Sequence, residues 1–325
     1  MFKQRINTLV ICSIALAAML IFTVGCKDPA SPFTIGIVAN APMDVPVLQG
    51  VRSGMEELGY IEGKNIRYIY KNVPVDDEPA IDAAIKDLLS QGMDILLTLE
   101  GEVCLRAKAT FEGSDLPILF SASPAPVESG LVKTLSHPGG NLTGVMLANT
   151  IMKALEWSAK ITPDVKKIYL PYNPDDNISA VSINDLAKEA PRLGIELVID
   201  EVHSVEETIE AIKGLPEDID NIFLIPSKTL NPESSGISLA ALNLGIPTSA
   251  ALMLDESVLL TLTADFTDAG KKTARLAHLI FSGTKPEEIP VETSEAQLIV
   301  NLRIAEKLNI KVSNDILAQA TAIIR

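Results

Sequence analysis

The chain has 325 residues, with 27 Lys and Arg against 42 Asp and Glu, three cysteines and a formal charge of −15. That excess of acid argues against a nucleic-acid partner, because a duplex is held by cationic side chains that neutralise phosphates, and no Lys/Arg cluster interleaved with aromatics occurs. A chain of this length can bury a sizeable core and lies where chains divide into two domains.

Residues 1–25 have the layout of a secretory signal peptide: Lys3 and Arg5 with no acid, then an apolar run from Ile6 to Val24. Thr23-Val24-Gly25-Cys26 resembles a site where a signal is cut and the new N-terminal cysteine is lipidated, although Thr23 stands where bacterial lipoboxes usually carry Leu. The competing expectation is a membrane-spanning helix, since about twenty apolar residues could cross a bilayer. Cleavage before Cys26 removes Lys3 and Arg5 and takes the charge from −15 to −17. It also leaves Cys104 as the one thiol of the body, so no intramolecular disulfide is expected.

Residues 26–32 form a short linker. Phe33 to Ala39 then reads as a buried strand, and Val47, Leu48, Val51, Met55 and Leu58 fall at helical spacing ahead of Gly59. Strands at 65–70, 94–99, 116–120 and 141–147 with helices at 78–90 and 102–111 complete a first set. A second set runs from a helix at 151–161 through strands at 167–170, 195–199 and 221–225, helices at 178–193, 205–213 and 234–244, and an apolar stretch at 247–251. Leu58-Gly59 and Leu193-Gly194 each close the first long helix of their set. The remainder offers a strand at 258–263, a helix at 267–281, a connection at 283–290 and an amphipathic tail to Arg325.

Alternating strands and helices of these lengths predict an α/β fold of two doubly wound parallel-sheet lobes joined by a multi-crossing hinge. The expected boundaries are 33–147 plus about 255–287 for lobe one and 148–254 plus about 288–325 for lobe two, with crossings near Leu147, Leu254 and Glu288. Ligands of such sheets bind beyond the carboxyl ends of the strands. That rule selects Asn40, Thr98, Glu100, Ser121 and Ser123 in lobe one, Tyr172, Asn173 and Ser227 in lobe two, and Asp265 after the returning strand. Each has a local alternative. Asn173-Pro174-Asp175 is strong turn chemistry, Asp265 can cap the helix that follows, and Glu100 sits at a helix start where a carboxylate is favoured without a ligand.

No catalytic or metal constellation accompanies these loops. His137, His203 and His278 are not spaced with Cys, Asp or Glu as a metal site requires. The chain lacks a Gly-x-Ser-x-Gly elbow, a Walker-type phosphate loop and a Gly-x-Gly-x-x-Gly after the first strand. Asp76-Asp77-Glu78 reads as a solvated helix start, and Trp157 as packing. No cofactor is called for.

Several segments carry a family resemblance: Glu57-Leu-Gly-Tyr-Ile-Glu-Gly-Lys-Asn65, Gly130-Leu-Val-Lys-Thr-Leu135, His137-Pro-Gly-Gly-Asn-Leu-Thr-Gly144, Tyr172-Asn-Pro174, and Leu298-Ile-Val-Asn-Leu302 with Ala305-Glu-Lys-Leu308. From about Phe33 to Ile324 the chain resembles the type I periplasmic binding fold, and within it the lipoprotein family of ABC-transporter substrate-binding proteins that includes tryptophan- and phenylalanine-binding members. The resemblance implies a small-molecule ligand held between closing lobes and passed to a separate permease and ATPase, with lipid on Cys26 as the membrane anchor. Two departures bear on the ligand. Leu99-Glu100-Gly-Glu102 stands where members often show Thr or Ser with small residues, and Ala122-Ser123-Pro124 where many carry Thr-Asp-Pro. The leading expectation is an exported solute receptor for a small polar ligand such as an amino acid; a sensory binding protein and an enzyme using the same cleft are the alternatives.

Overall fold

The structure, a computed structural model, describes residues 32–40, 45–74, 77–99, 101–162, 164–251 and 256–325. The leader, Cys26, Glu100 and the crossing expected near Leu254 lie outside the described residues.

The first sheet is built from β1 (Phe33–Ala39), β2 (Ile66–Asn72), β3 (Ile95–Thr98), β4 (Ile118–Ser123), β5 (Leu142–Met146) and β11 (Glu292–Thr293), in the order β11-β5-β4-β3-β1-β2. All its pairings are parallel. The second contains β6 (Lys167–Tyr172), β7 (Glu196–Glu201), β8 (Asn221–Leu224), β9 (Thr248–Ala251), β10 (Leu260–Ala264), β12 (Ala296–Asn301) and β13 (Ala322–Ile324), in the order β13-β12-β10-β9-β8-β6-β7. Here β12 runs antiparallel to β10, the one departure from parallel pairing among the described strands.

Helices cover both faces of each sheet, which is why the inner strands are apolar on both sides. In lobe one, α1 (Pro46–Glu57) and α8 (Phe266–Phe281) bury Leu48, Met55, Ala274 and Leu276 against Ile35, Leu97 and Val145. On the opposite face, α2 (Glu78–Ser90) and α3 (Gly101–Thr110) bury Ile85, Leu88 and Cys104 against Val38, Leu96 and Phe120. In lobe two, α4 (Ile151–Ile161), α5 (Asn177–Glu189), α9 (Leu302–Lys307) and α10 (Asn314–Gln319) share a core with Ile168, Leu170 and Phe223, and Trp157 packs in it. The far face carries α6 (Val205–Lys213) and α7 (Ser234–Asn243) over Tyr169, Ile222 and Leu224.

Gly59 and Gly194 adopt the left-handed conformation, φ 88° and 73°, that ends a helix and that a Cβ disfavours. The helix before Gly194 is shorter than its apolar spacing suggests. It ends as an α-helix at Glu189 and continues as a 3-10 turn over Ala190–Leu193, where Pro191 offers no N–H.

Three crossings join the lobes. The first leaves β5 at Leu147 and enters α4 after Thr150; the second passes from β10 to α8 at Asp265; the third passes from β11 to β12 through Ser294 and Glu295. The second and third differ in place from the expected Leu254 and Glu288. β10 belongs to the second sheet because it pairs with β9 and β12, so residues 260–264 lie in lobe two, and β11 pairs with β5, which extends lobe one to Thr293. The amphipathic tail resolves into β12, α9, α10 and β13. α8 returns to lobe one by packing on α1 through facing glycines: a Cβ on Gly50 would meet the Thr267 carbonyl oxygen, and one on Gly270 the Val47 carbonyl oxygen.

Candidate functional site

Topology fixes where a site can be. β5 leaves the first sheet, and β10 the second, at its C-terminal end, directly into a crossing. The C-terminal edges of both sheets therefore lie on the crossing side, with helix N-termini and loops between them.

The crossings are tied to one another. Leu147 N–H donates to the Ser123 carbonyl at 2.8 Å, Ser294 N–H to the Met146 carbonyl at 2.9 Å, and Asp265 N–H to the Glu295 carbonyl at 2.8 Å. Ala148 N–H donates to Ser294 Oγ at 3.1 Å. On α8, Lys272 Nζ reaches the Thr293 carbonyl at 2.9 Å, Glu295 Oε1 at 3.2 Å and Asp268 Oδ2 at 2.8 Å. Burial alone would lower the Lys272 pKa, but the bonds to Asp268 and Glu295 outweigh it and the net shift is upward.

The residues singled out from lobe one have different fates. Asn40 follows β1 and is half-buried. Thr98 is fully buried and faces the interior: its Oγ1 lies 3.5 Å from the Leu119 carbonyl, and it hydrogen-bonds the Cys104 thiol, whose pKa burial pushes up to about 12. Ser121 is also buried, with Oγ 2.7 Å from Thr273 Oγ1, a bond that ties β4 to α8. Those hydroxyls are occupied within lobe one. Ser123 stands at the end of β4, where the pairing with β5 shifts register and Ala122 takes φ 63°, a left-handed conformation rare for a residue with a Cβ. Such a bulge re-aims the strand end, and the strain of order 1–3 kcal/mol is of a kind that gathers at binding sites.

In lobe two the loops after β6 and β8 are stitched together. Asn173 Nδ2 donates to Thr229 Oγ1 at 3.0 Å while its Oδ1 accepts from Asp175 N–H at 2.9 Å, the side-chain turn its sequence suggests. The Asp176 carboxylate accepts from Lys228 N–H, and Ser179 Oγ donates to the Pro226 carbonyl at 3.0 Å. Ser227 Oγ accepts from Leu230 N–H at 3.1 Å. Tyr172 donates to Glu201 Oε1 at 2.8 Å, and that carboxylate raises the phenol pKa. The loops thus hold one another, with Asn173 and Ser227 buried within them. Asp265 caps α8: its Oδ1 accepts from Asp268 N–H at 2.9 Å.

Two concavities lie elsewhere. One of about 890 Å³, lined by Lys108, Lys133, Asn141 and Lys285, opens at the start of β5, the end of the first sheet remote from the crossings. Another of about 560 Å³ lies between α7 and α9, lined by Ser234, Ser257, Asn301 and Arg303. Among the described residues no group of His, Cys, Asp and Glu could hold a metal ion, and no helix is long and apolar enough to cross a membrane.

Two mostly parallel α/β sheets, joined on the side of their C-terminal edges by three crossings, define the type I periplasmic-binding class of fold. The model of the ABC transporter substrate binding protein family matches residues 35–324, and the chain belongs to that family, whose members bind solutes rather than catalyse reactions. It is 29% identical over 258 residues to a tyrosine-binding protein of Clostridioides difficile (strain R20291), covering 78% of this chain and 73% of that one. Two solved structures share the fold. The ligand-free, open structure of a substrate binding protein with adhesive properties from Clostridium difficile has TM-score 0.77 and 24% identity, covering 90% of this chain and 99% of that one. A domain from Streptococcus pneumonia in complex with L-Trp has TM-score 0.73 and 23% identity, covering 90% and 100%.

Proposed function

We propose that this protein captures an amino acid between its two lobes outside the cytoplasm and delivers it to a membrane permease driven by a separate ATPase. The observation that carries the reading is the convergence of two C-terminal strand edges on three hydrogen-bonded crossings, in a chain of the substrate-binding family. Its relative in Clostridioides difficile, named for tyrosine, supports an amino acid as the ligand class. Asn40, Ser123, Tyr172, Asn173 and Ser227 are the side chains proposed to line the cleft.

Calorimetric titration of the soluble body with the common L-amino acids, L-tyrosine and L-tryptophan first, tests this. A ligand at a hundred times its Kd stabilises the native state by about 2.7 kcal/mol, which for a chain of this size raises Tm by roughly 4 °C. No heat and no shift with any of them would remove the amino-acid reading. Cells lacking the protein should also lose uptake of that ligand at concentrations near Kd; unchanged uptake would leave a binding protein without a transport role.

The apolar leader ending at Cys26 supports attachment through lipid on that cysteine. Cys26→Ser should then release the protein from the membrane fraction. A variant that remains there at mature size would show that something else holds it.

A further inference from the structure

Helix α4 starts at the first crossing, and its first turn has no side-chain cap. Thr150 is its N-cap residue, with φ −103° and ψ −10°, and its side chain makes no capping hydrogen bond. Thr150 Oγ1 is buried and has no hydrogen-bond partner among the described residues, in a residue only 1% exposed. A buried hydroxyl without a partner is costly and calls for an explanation. The first turn of α4 contains no acid, and Ala154 N–H, bonded to the Thr150 carbonyl at 2.7 Å, is the first along it with an intrahelical acceptor. The N–H groups ahead of it and the helix dipole offer partial positive charge to an anion.

Position connects this end to the candidate cleft. Thr150 lies three residues beyond Leu147, whose N–H is bonded to the Ser123 carbonyl, and two beyond Ala148, whose N–H is bonded to Ser294 Oγ. Lys153, the cation nearest in sequence, pairs with Glu156 on the outer surface, with 53% of its side chain exposed.

We propose that the N-terminal end of α4, with Thr150 Oγ1 as donor, receives the carboxylate of the bound amino acid. This rests on the amino-acid reading above. The contact would place the carboxylate where lobe one passes into lobe two, so that ligand charge is recognised at the pivot itself.

The test is calorimetry on wild type, Thr150→Val and Thr150→Ser with L-tyrosine and L-tryptophan, alongside the Tm of each protein without ligand. Loss of a hydrogen bond to a charged group corresponds to about ten- to a hundredfold in affinity. Thr150→Val should bind that much more weakly yet melt no lower than wild type, because a methyl group replaces a hydroxyl that has no partner. Thr150→Ser, which keeps the hydroxyl, should bind within about threefold of wild type. Undiminished affinity in Thr150→Val would overturn the subsite while leaving the amino-acid reading intact; a lowered Tm with unchanged affinity would do the same and mark the hydroxyl as structural. If wild type binds neither amino acid nor any of the others tested, both readings fall together. Should Thr150→Val not fold, Thr150→Ala against Thr150→Ser makes the same comparison.

Discussion

Asp265 joins two structural tasks in one residue: its carboxylate caps α8, and its N–H holds the Glu295 carbonyl across the hinge. Removing such a cap costs about 1 kcal/mol, within a range of roughly 0.5–2. Asp265→Ala should therefore lower Tm by a few degrees in thermal unfolding, and Asp265→Asn should recover most of the loss because its amide oxygen can still accept. The backbone bond to Glu295 survives both substitutions, so affinity should change less than tenfold. A direct ion pair with a ligand ammonium predicts the opposite pattern, since losing a buried charged partner costs roughly 2 to 5 kcal/mol, or about thirty- to several-thousand-fold in binding. An Asp265→Ala protein that melts normally and fails to bind would return this residue to the cleft. Thr98 and Ser121 make a related point: Thr98 ends β3 and Ser121 lies near the end of β4, where a ligand contact is expected, and both hydroxyls turn inward to lobe-one partners.

Elements were legible in the sequence where burial repeats. Phe33–Ala39 is apolar apart from Thr34 because both faces of β1 are covered, and α1 shows its period because one stripe, Val47, Leu48, Val51 and Met55, meets the sheet. Loops at strand ends could be located by the same reading, since the rule for open parallel sheets needs only strand order and direction. Which sheet a strand joins could not be read. The run Leu260–Ala264 is equally apolar in either lobe, and only long-range pairing with β9 and β12 assigns it. β11, two residues long, has no period to detect, and β12 lies in a tail whose amphipathic pattern also suits a helix. Side-chain direction was likewise out of reach: the bulge at Ala122 and the uncapped start of α4 at Thr150 depend on backbone angles that the residue types do not announce.

At the scale of the whole molecule, the linkages decide what can move. α8 is fixed to lobe one by its glycine contacts with α1 and by the Ser121–Thr273 bond, so it belongs to that lobe although it follows a lobe-two strand. Rotation must then be absorbed in the short spans Leu147–Thr150, Asp265 and Ser294–Glu295, which are bonded to their neighbours chiefly through backbone groups. A ligand can drive closure only to the extent that it binds the closed arrangement better, and moving an equilibrium from 1:99 to 99:1 requires about 5.5 kcal/mol of such preference. Contacts from one lobe alone cannot supply it; a ligand held at Ser123 on one side and at Tyr172, Asn173 and Ser227 on the other can. Small-angle scattering of the soluble body should therefore give a smaller radius of gyration at saturating ligand than without it, approaching the value of about 19 Å for a compact chain of this length. A profile that does not change while calorimetry reports full occupancy would mean that the lobes are already closed or that the ligand touches only one of them, and the two-lobed capture proposed here would be wrong.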